Sequence, residues 1–438
     1  MDWKILTVTT LLASILAGCK DGHRERSMTV MDPGHFHAAL IQKNPVPGVS
    51  ETVKVFAPDG DEVKAYLATI ESFNTREDNP TSWTEDVYIG EDFLEKLPMA
   101  GKGDFMVLAG NNMKKARYMA DAVEKGYSVL ADKPLAITDE DFVLLESAVA
   151  SARAKGLQVL DMMTERHDIL NIIARALVHD NGFFGKIDSL RFRSVHHFYK
   201  DVAGTALKRP VWYYDVSQQG EGLADVTTHL VDLAFWTCFP DEGITEEDVV
   251  LCNATHHPTS LTLEQFRKST LADSFPGFLA SKVKDGVLQV MANGEMDFRV
   301  RGIPVSIGVE WEYEAPAGGD DTSEYIFKGS KATVRIVQDE STGFSKKLLI
   351  QAPEEAAKRA EAGLEDRFPY VALAPFSEGT WSIEVPTGNR PGHEDHFGMV
   401  VTAFLEGNIQ EWEYSNLLTK YRLTTAAVDM ACKQDTKG

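Results

Sequence analysis

From Met28 to Asp161, short apolar runs alternate with longer stretches in which apolar residues recur every three or four positions. The runs Ser27–Met31, Val53–Ala57, Phe105–Ala109, Ser128–Ala131 and Leu157–Leu160 predict strands. Between them the spacing predicts helices from about His35, from Asp61 through Ile70, from Asn111 and Asn112 to Lys125, and from Thr138 to near Gly156. Asp61 stands where a helix cap belongs, and Gly126 where a helix must stop. Strands alternating with helices of this length predict βαβ units and a parallel sheet. The polar segment Ser72–Trp83 breaks the rhythm and is expected to be a surface insertion, a loop over the cleft.

The pattern changes after Asp161. A helix is expected over His167–His179, stopped by Asn181-Gly182, followed by a long strand over Lys186–His197. Asp225 and His229 fall in a helix whose following run, Leu230–Trp236, is apolar. Strand patterns then cluster at Gly286–Ala292, Val305–Glu312, Ala332–Gln338 and Lys347–Ile350. Grouped strands of this kind predict a largely antiparallel, open-faced sheet. The charged, Ala-rich run Pro353–Glu365 predicts a solvated helix, and two more helices are expected over Asp395–Glu406 and Asn416–Cys432. The expected fold class is thus α/β: a Rossmann-like parallel-sheet domain over 28–161, then an α+β domain over 162–438 that binds substrate.

The first 27 residues do not share these patterns. Lys4 precedes the apolar run Ile5–Leu16, which is too short for a spanning helix, and the run ends in Leu16-Ala17-Gly18-Cys19. Small residues before a cysteine are similar to a bacterial lipobox, which makes Cys19 the lipidated residue and Lys20–Ser27 a tether. The expectation is an exported, lipid-anchored protein of the periplasm or outer membrane of a Gram-negative bacterium; the alternative is a secretory signal with an incidental cysteine. Three cysteines remain, Cys238, Cys252 and Cys432, without CxxC spacing, which speaks against a disulfide framework or a zinc site. Cys238 lies in an apolar run and reads as a small buried hydrophobe.

Length and charge narrow the class further. A chain of 438 residues exceeds one ordinary core. With 43% hydrophobic and 25% charged residues the composition is globular, and a net charge of −22 opposes nucleic-acid binding.

The candidate chemistry is concentrated in a few places. Ser128–Ala131 leads into Asp132-Lys133-Pro134, which puts a lysine at the carboxyl end of a buried strand, where open α/β sheets bind ligands. Asp225 and His229, at i, i+4, can share a helical face and a cleft; the alternative is a solvated surface contact. Asp32-Pro33-Gly34-His35-Phe36-His37 occupies the first strand-to-helix turn, where a dinucleotide fold places G-x-G-x-x-G; only Gly34 survives of that pattern. His35 and His37 suggest metal, but i, i+2 residues on a helix diverge, so no metal site is expected. Asp59, after the second strand, is placed for a ribose hydroxyl, which favours NAD over NADP, or else it is simply a turn former. Trp212 and Tyr213 either stack on a sugar or pack in the core. In His196-His197 and His256-His257, neighbours on a strand point to opposite faces, so each pair gives at most one residue to a site.

Three matches make the chain resemble the glucose–fructose oxidoreductase/inositol dehydrogenase (Gfo/Idh/MocA) family over about Met28–Cys432. Asp132-Lys133-Pro134 is similar to its Glu-Lys-Pro motif, and Gly220-x-Gly222 through Asp225, His229 and Asp232 to the turn and acids of its substrate helix. Gly185-Lys186-Ile187 is like the start of its second domain. The resemblance implies an NAD(P)-dependent oxidoreductase acting on a secondary hydroxyl of a sugar, glycoside or polyol. Lys133 would polarise that hydroxyl, His229 would act as acid and base, and Asp225 would hold substrate or the imidazole. Arg166, Trp212 and Tyr213 would contact substrate. Gly34, His35, Phe36, His37, Asp59, Ala109, Asn111, Asp132 and Lys133 would surround a tightly held NAD, with NADP as the alternative. A homo-oligomer through the second sheet is common in such families. The departures at Asp32, His37 and Asp132, and Gly110–Lys115 in place of Thr-Pro-Asn-His-x-His, leave two other readings: a non-catalytic carbohydrate-binding lipoprotein, and a redox-neutral lyase or hydrolase that oxidises its glycoside transiently.

Overall fold

A computed structural model describes residues 25–202, 205–407 and 409–435. Cys19 and the signal and tether reading of 1–24 lie outside the described residues. No described helix is long and apolar enough to cross a membrane.

The first sheet is parallel and has six strands: β1 (Met28–Met31), β2 (Thr52–Ala57), β3 (Thr84–Ile89), β4 (Phe105–Leu108), β5 (Ser128–Ala131) and β6 (Val159–Asp161). Their order is β3-β2-β1-β4-β5-β6, so strand order reverses between β1 and β4, the switch point at which such sheets open a crevice. The segment expected to cover the cleft does something else. Ser72–Thr75 completes the helix α2 (Asp61–Thr75), and the chain then runs into β3 on the far edge of the sheet. The Trp83 indole N–H is anchored on the Gln42 carbonyl at 2.7 Å.

The helix expected from His35 is a single turn, α1 (His37–Leu40). That turn is too short to roof its side of the sheet. The cover comes from the chain's other end: Phe397, Val400, Val401 and Phe404 of α7 (His393–Glu406) pack with Val30, Val55 and Val107. Among the other helices packed on the first sheet are α3 (Asn112–Glu124), with Asn111 as its N-cap, and α4 (Asp139–Ala154), opened by a Thr138/Asp141 capping box. The following helix, α5 (Ile169–Val178), starts later than expected, because Thr164–His167 form a separate 3-10 turn.

The second sheet is mostly antiparallel. Its order runs Val249–Thr262, Val287–Val300, Ile303–Glu314, Ile187–Tyr199, Thr322–Gly329, Thr333–Gln338, Lys347–Gln351, Thr380–Glu384, Ala372–Ser377. One central pair, Ile187–Tyr199 with Ile303–Glu314, is parallel. Strand alternation sends Phe192, Phe298, Ile307 and Phe327 inward, against α5 and the largely buried helix α6 (Val226–Cys238). Arg191, Glu295, Asp297 and Arg299 face outward. Helix α8 (Glu411–Asp435) spans both cores: Tyr414, Leu417 and Tyr421 join the parallel-sheet cluster, while Leu423, Ala427 and Ala431 join the second.

Candidate active site

The strand β5 is held on both sides by β4 and β6, so the residues after it are fixed at the sheet's carboxyl edge. The Asp132 N–H donates to the Leu108 carbonyl at 2.7 Å, and the Asp132 carbonyl accepts from the Lys115 ammonium at 2.6 Å. The next residue, Lys133, precedes a cis proline peptide and donates to Asp225 Oδ1 at 2.5 Å. The two come from different lobes; the Asp225 side chain is buried and that of Lys133 mostly so.

Asp225 is not on the helical face expected for it. It is the N-cap residue of α6, with φ −81° and ψ −91°, and its carboxylate crosses to Lys133 rather than reaching the imidazole. Burial alone would raise the pKa of Asp225, but the charge and hydrogen bond of Lys133 outweigh burial and hold it below the ordinary carboxylate value. His229, in the first turn of α6, is pushed down to about 4, first by burial and then by the Lys133 ammonium. Its Nδ1 is buried without a hydrogen-bond partner. Gly222 allows the preceding turn to seat against the second sheet: a Cβ there would lie 2.0 Å from the Ala292 carbonyl oxygen.

At the first strand-to-helix turn, the Gly34 and His35 amides both donate to the Ala109 carbonyl, at 3.0 and 3.1 Å. The approach requires glycine at 110, where a Cβ would meet the Asp32 carbonyl oxygen at 2.4 Å. Asp32 itself accepts from Lys114 and Tyr118, each at 2.9 Å. His35 and His37, expected to diverge, converge: their Nδ1 atoms lie 3.1 and 2.9 Å from Asp132 Oδ2. The helical argument fails because His35 stands in the turn ahead of α1 and only His37 belongs to the helix.

Two cavities are lined by neighbours of these residues rather than by Lys133, Asp225 or His229 themselves. One, of about 430 Å³, is lined by Gly34, His35 and Phe36 of the turn, Asp61 and Glu62 of α2, and Lys208 and Tyr213 of the second lobe. Asp59 does not line it; exposed, it pairs with Lys64 at 2.8 Å, and the acids facing the cleft are Asp61 and Glu62, just beyond it at the start of α2. Asn111 is turned away too, capping α3 and donating to Gln218 at 2.8 Å. The other cavity, of about 500 Å³, is polar and lined by Glu165, Asp168, His196, Asp321, Lys346 and His393. Lys346 bridges Glu165 and Asp168, at 3.1 and 2.8 Å. The charge of Glu165 acts on His229, which places this cavity next to the imidazole.

Arg166 departs from its expected role. Its guanidinium grips Asp232 with two bonds of 2.7 Å and Glu413 with a third of 2.7 Å, and is thus taken up in an ion-pair network. Trp212 packs against Gly34, while Tyr213 lines the first cavity beneath the Arg209 guanidinium, 4.5 Å from its centroid. The opposite-face argument does not hold for His196 and His197, whose Nδ1 atoms both reach Asp321, at 3.2 and 2.8 Å. Asp321 sits just before the adjacent strand begins, off the end of the ladder, where both rings can reach it. Glu165, Lys346 and Lys115 carried no sequence signal beyond position; Glu165 alone follows a strand's carboxyl end.

Residues 176–432 match the family model described as "Putative oxidoreductase C terminal domain". A solved structure from Parabacteroides merdae, itself described as a "putative oxidoreductase", is 40% identical, with a TM-score of 0.91 over 94% of this chain and 98% of that one. The chain belongs to this oxidoreductase family. Levoglucosan dehydrogenase in complex with NADH and levoglucosan shares the fold at 16% identity, with a TM-score of 0.58 over 93% of this chain and 97% of its own. A 3-ketoreductase from Actinomadura kijaniata in complex with NADP does so at 15% identity, with a TM-score of 0.58 over 92% and 97%. No curated protein matches the chain.

Proposed function

We propose that this oxidoreductase transfers hydride between a nicotinamide dinucleotide and a secondary hydroxyl of a sugar, glycoside or polyol, and that it does so exported and lipid-anchored through Cys19. One observation carries the reaction: a lysine from one lobe meets an aspartate and a histidine from the other at the carboxyl edge of the parallel sheet. The names of the two dehydrogenase neighbours, one acting on levoglucosan and one a 3-ketoreductase, support the substrate class.

The first cavity suits a dinucleotide. It lies at the switch point and has the size of a ligand pocket. Phe36 and Tyr213 offer aromatic surface; Asp61 and Glu62 would accept from ribose hydroxyls, and Lys208 would meet phosphate charge. The Gly34 and His35 amides, already bonded to Ala109, are not free to cradle a pyrophosphate, which leaves that duty to groups on the second lobe. When bound, the cofactor supplies the hydride acceptor or donor.

The chain's own groups handle the proton. An ammonium has three donors; Asp225 takes one of Lys133's, leaving two for the substrate oxygen as charge develops on it. His229 is neutral at neutral pH, so its imidazole can accept the hydroxyl proton and return it in the reverse direction. Glu165, Lys346, His196 and Asp321 present the alternating donors and acceptors that a polyhydroxylated ring requires.

Acid extraction of the purified full-length protein, followed by mass spectrometry, tests the cofactor. A nicotinamide nucleotide close to one per chain is expected. Its absence, together with no NAD(P)H signal across a panel of secondary alcohols, would leave the carbohydrate-binding reading, which the spent amides at Gly34 and His35 favour.

His229 sets a pH dependence. With a pKa of about 4 it stays a base down to roughly pH 5, so the acid limb of kcat/KM is expected near pH 4 to 5 rather than 6.5. The same shift affects stability. The unfolded histidine binds a proton from about pH 6.5 downward and the folded one only near 4. Stability is therefore fully present above pH 6.5 and is lost as pH falls through that window. An acid limb at pH 6.5 that vanishes in His229→Asn would contradict the assignment.

A further inference from the structure

We propose that His35, His37 and Asp132 form a binding site for one divalent transition-metal ion, of the zinc or cobalt class. Three side-chain atoms, His35 Nδ1, His37 Nδ1 and Asp132 Oδ2, lie within 4.8 Å of one another. The two nitrogen–oxygen separations are 3.1 and 2.9 Å. Bonds of about 2.0–2.1 Å in tetrahedral geometry require ligand atoms about 3.3 Å apart, a spacing the two nitrogen–oxygen pairs already approach. Two imidazoles and a carboxylate are the ligand set that zinc takes in its open, three-ligand sites.

Hydrogen bonding accounts for only part of this arrangement. His37 Nδ1 is bonded to Asp132 Oδ2, but His35 Nδ1, nearly as close, is buried from solvent without an aligned hydrogen bond. A nitrogen that close to a carboxylate oxygen without an aligned N–H is an orphan as a hydrogen-bonding group but has the placement of a lone-pair donor to a shared cation. The backbone of the site is fixed before anything binds. The His35 amide is held by Ala109, and Asp132 is held through its amide by Leu108 and through its carbonyl by Lys115. Outer contacts of this kind orient ligands at metal centres. The Lys115 ammonium behind Asp132 opposes a second positive charge, which makes the site one of moderate rather than extreme affinity. His35 also lines the 430 Å³ cleft. Binding would displace the proton that His37 shares with Asp132.

The test uses the full-length protein, stripped with chelator and titrated with Zn²⁺ by calorimetry and with Co²⁺ by visible absorption. One equivalent is expected, with cobalt bands of low-symmetry four-coordination. His37→Ala and His35→Ala should each lose the bound equivalent. His35→Ala is the milder variant, because its Nδ1 holds no structural bond, and circular dichroism establishes that each variant is folded. Glu221, His256 and Cys432 are a second set with atoms in range; Cys432→Ser should leave the equivalent in place. No binding by the stripped protein, binding that persists in both histidine variants, or binding lost in Cys432→Ser would each overturn the proposal. The readout is metal content and spectrum, so it is independent of whether a nicotinamide nucleotide is found.

Discussion

Replacing Lys133 by methionine is expected to lower kcat by about 10²–10³-fold while the protein stays folded, the loss typical of removing one preorganised donor from a developing oxyanion. Methionine keeps most of the length of the side chain and removes its charge and donors. The substitution also strands Asp225, whose carboxylate is buried and receives its ion pair from Lys133. A melting curve must therefore accompany the kinetics, and Lys133→Met combined with Asp225→Asn separates the two effects. If the stranded carboxylate were the whole defect, the double variant would recover turnover. If the ammonium acts on the substrate oxygen, it stays inactive although its stability returns. A Lys133→Met enzyme that turns over at the parental rate would remove this residue from the chemistry.

The largest loss of stability is expected from Lys420→Met, at about 3–5 kcal/mol. Lys420 is buried, with its ammonium 2.8 Å from both Asp161 and Asp232. Asp161 ends β6 of the parallel sheet, Asp232 lies in α6 of the second lobe, and Tyr421 donates to Asp161 at 2.7 Å. Asp232 keeps Arg166 after the substitution, but Asp161 is left as a buried carboxylate with only a hydroxyl for support. The added change Asp161→Asn should restore part of the loss, since an amide carries no charge to strand. Chemical denaturation measures both variants; a loss of under about 1 kcal/mol in the single one would show that this network carries little weight.

The same residues mark how far the sequence can be read. Short apolar strands, capping residues and terminal glycines are local signals, and the parallel sheet could be read from them. The strands Thr84–Ile89 and Val249–Thr262 could not. The first carries the adjacent acids Glu85 and Asp86 and lies mostly exposed on a sheet edge, and the second is exposed over most of its length. Their strand character comes from neighbours distant in sequence. Lys133, Asp225 and His229 were legible as a group because a motif and an apolar helix signal them, and the structure brings them together. The partner Asp225 would choose was not legible, because that depends on α6 beginning one residue later. The position of a helix start likewise decides whether His35 and His37 part or meet. Arg166 looked available because its sequence neighbourhood says nothing of Asp232 and Glu413, which reach it from 66 and 247 residues away. Glu165 and Lys346, 181 residues apart, had no pattern to join them.

Helix α8 has a mechanical consequence. Its first half is rooted in one core and its second half in the other, with a bridging ammonium midway. It acts as a strut across the crevice. Swinging the lobes apart on a hinge would pull Tyr414, Leu417 and Tyr421 out of their seats, at about 1.5–3 kcal/mol for each large side chain exposed. Traffic into and out of the crevice therefore passes by local movement of its rims rather than by separation of the lobes.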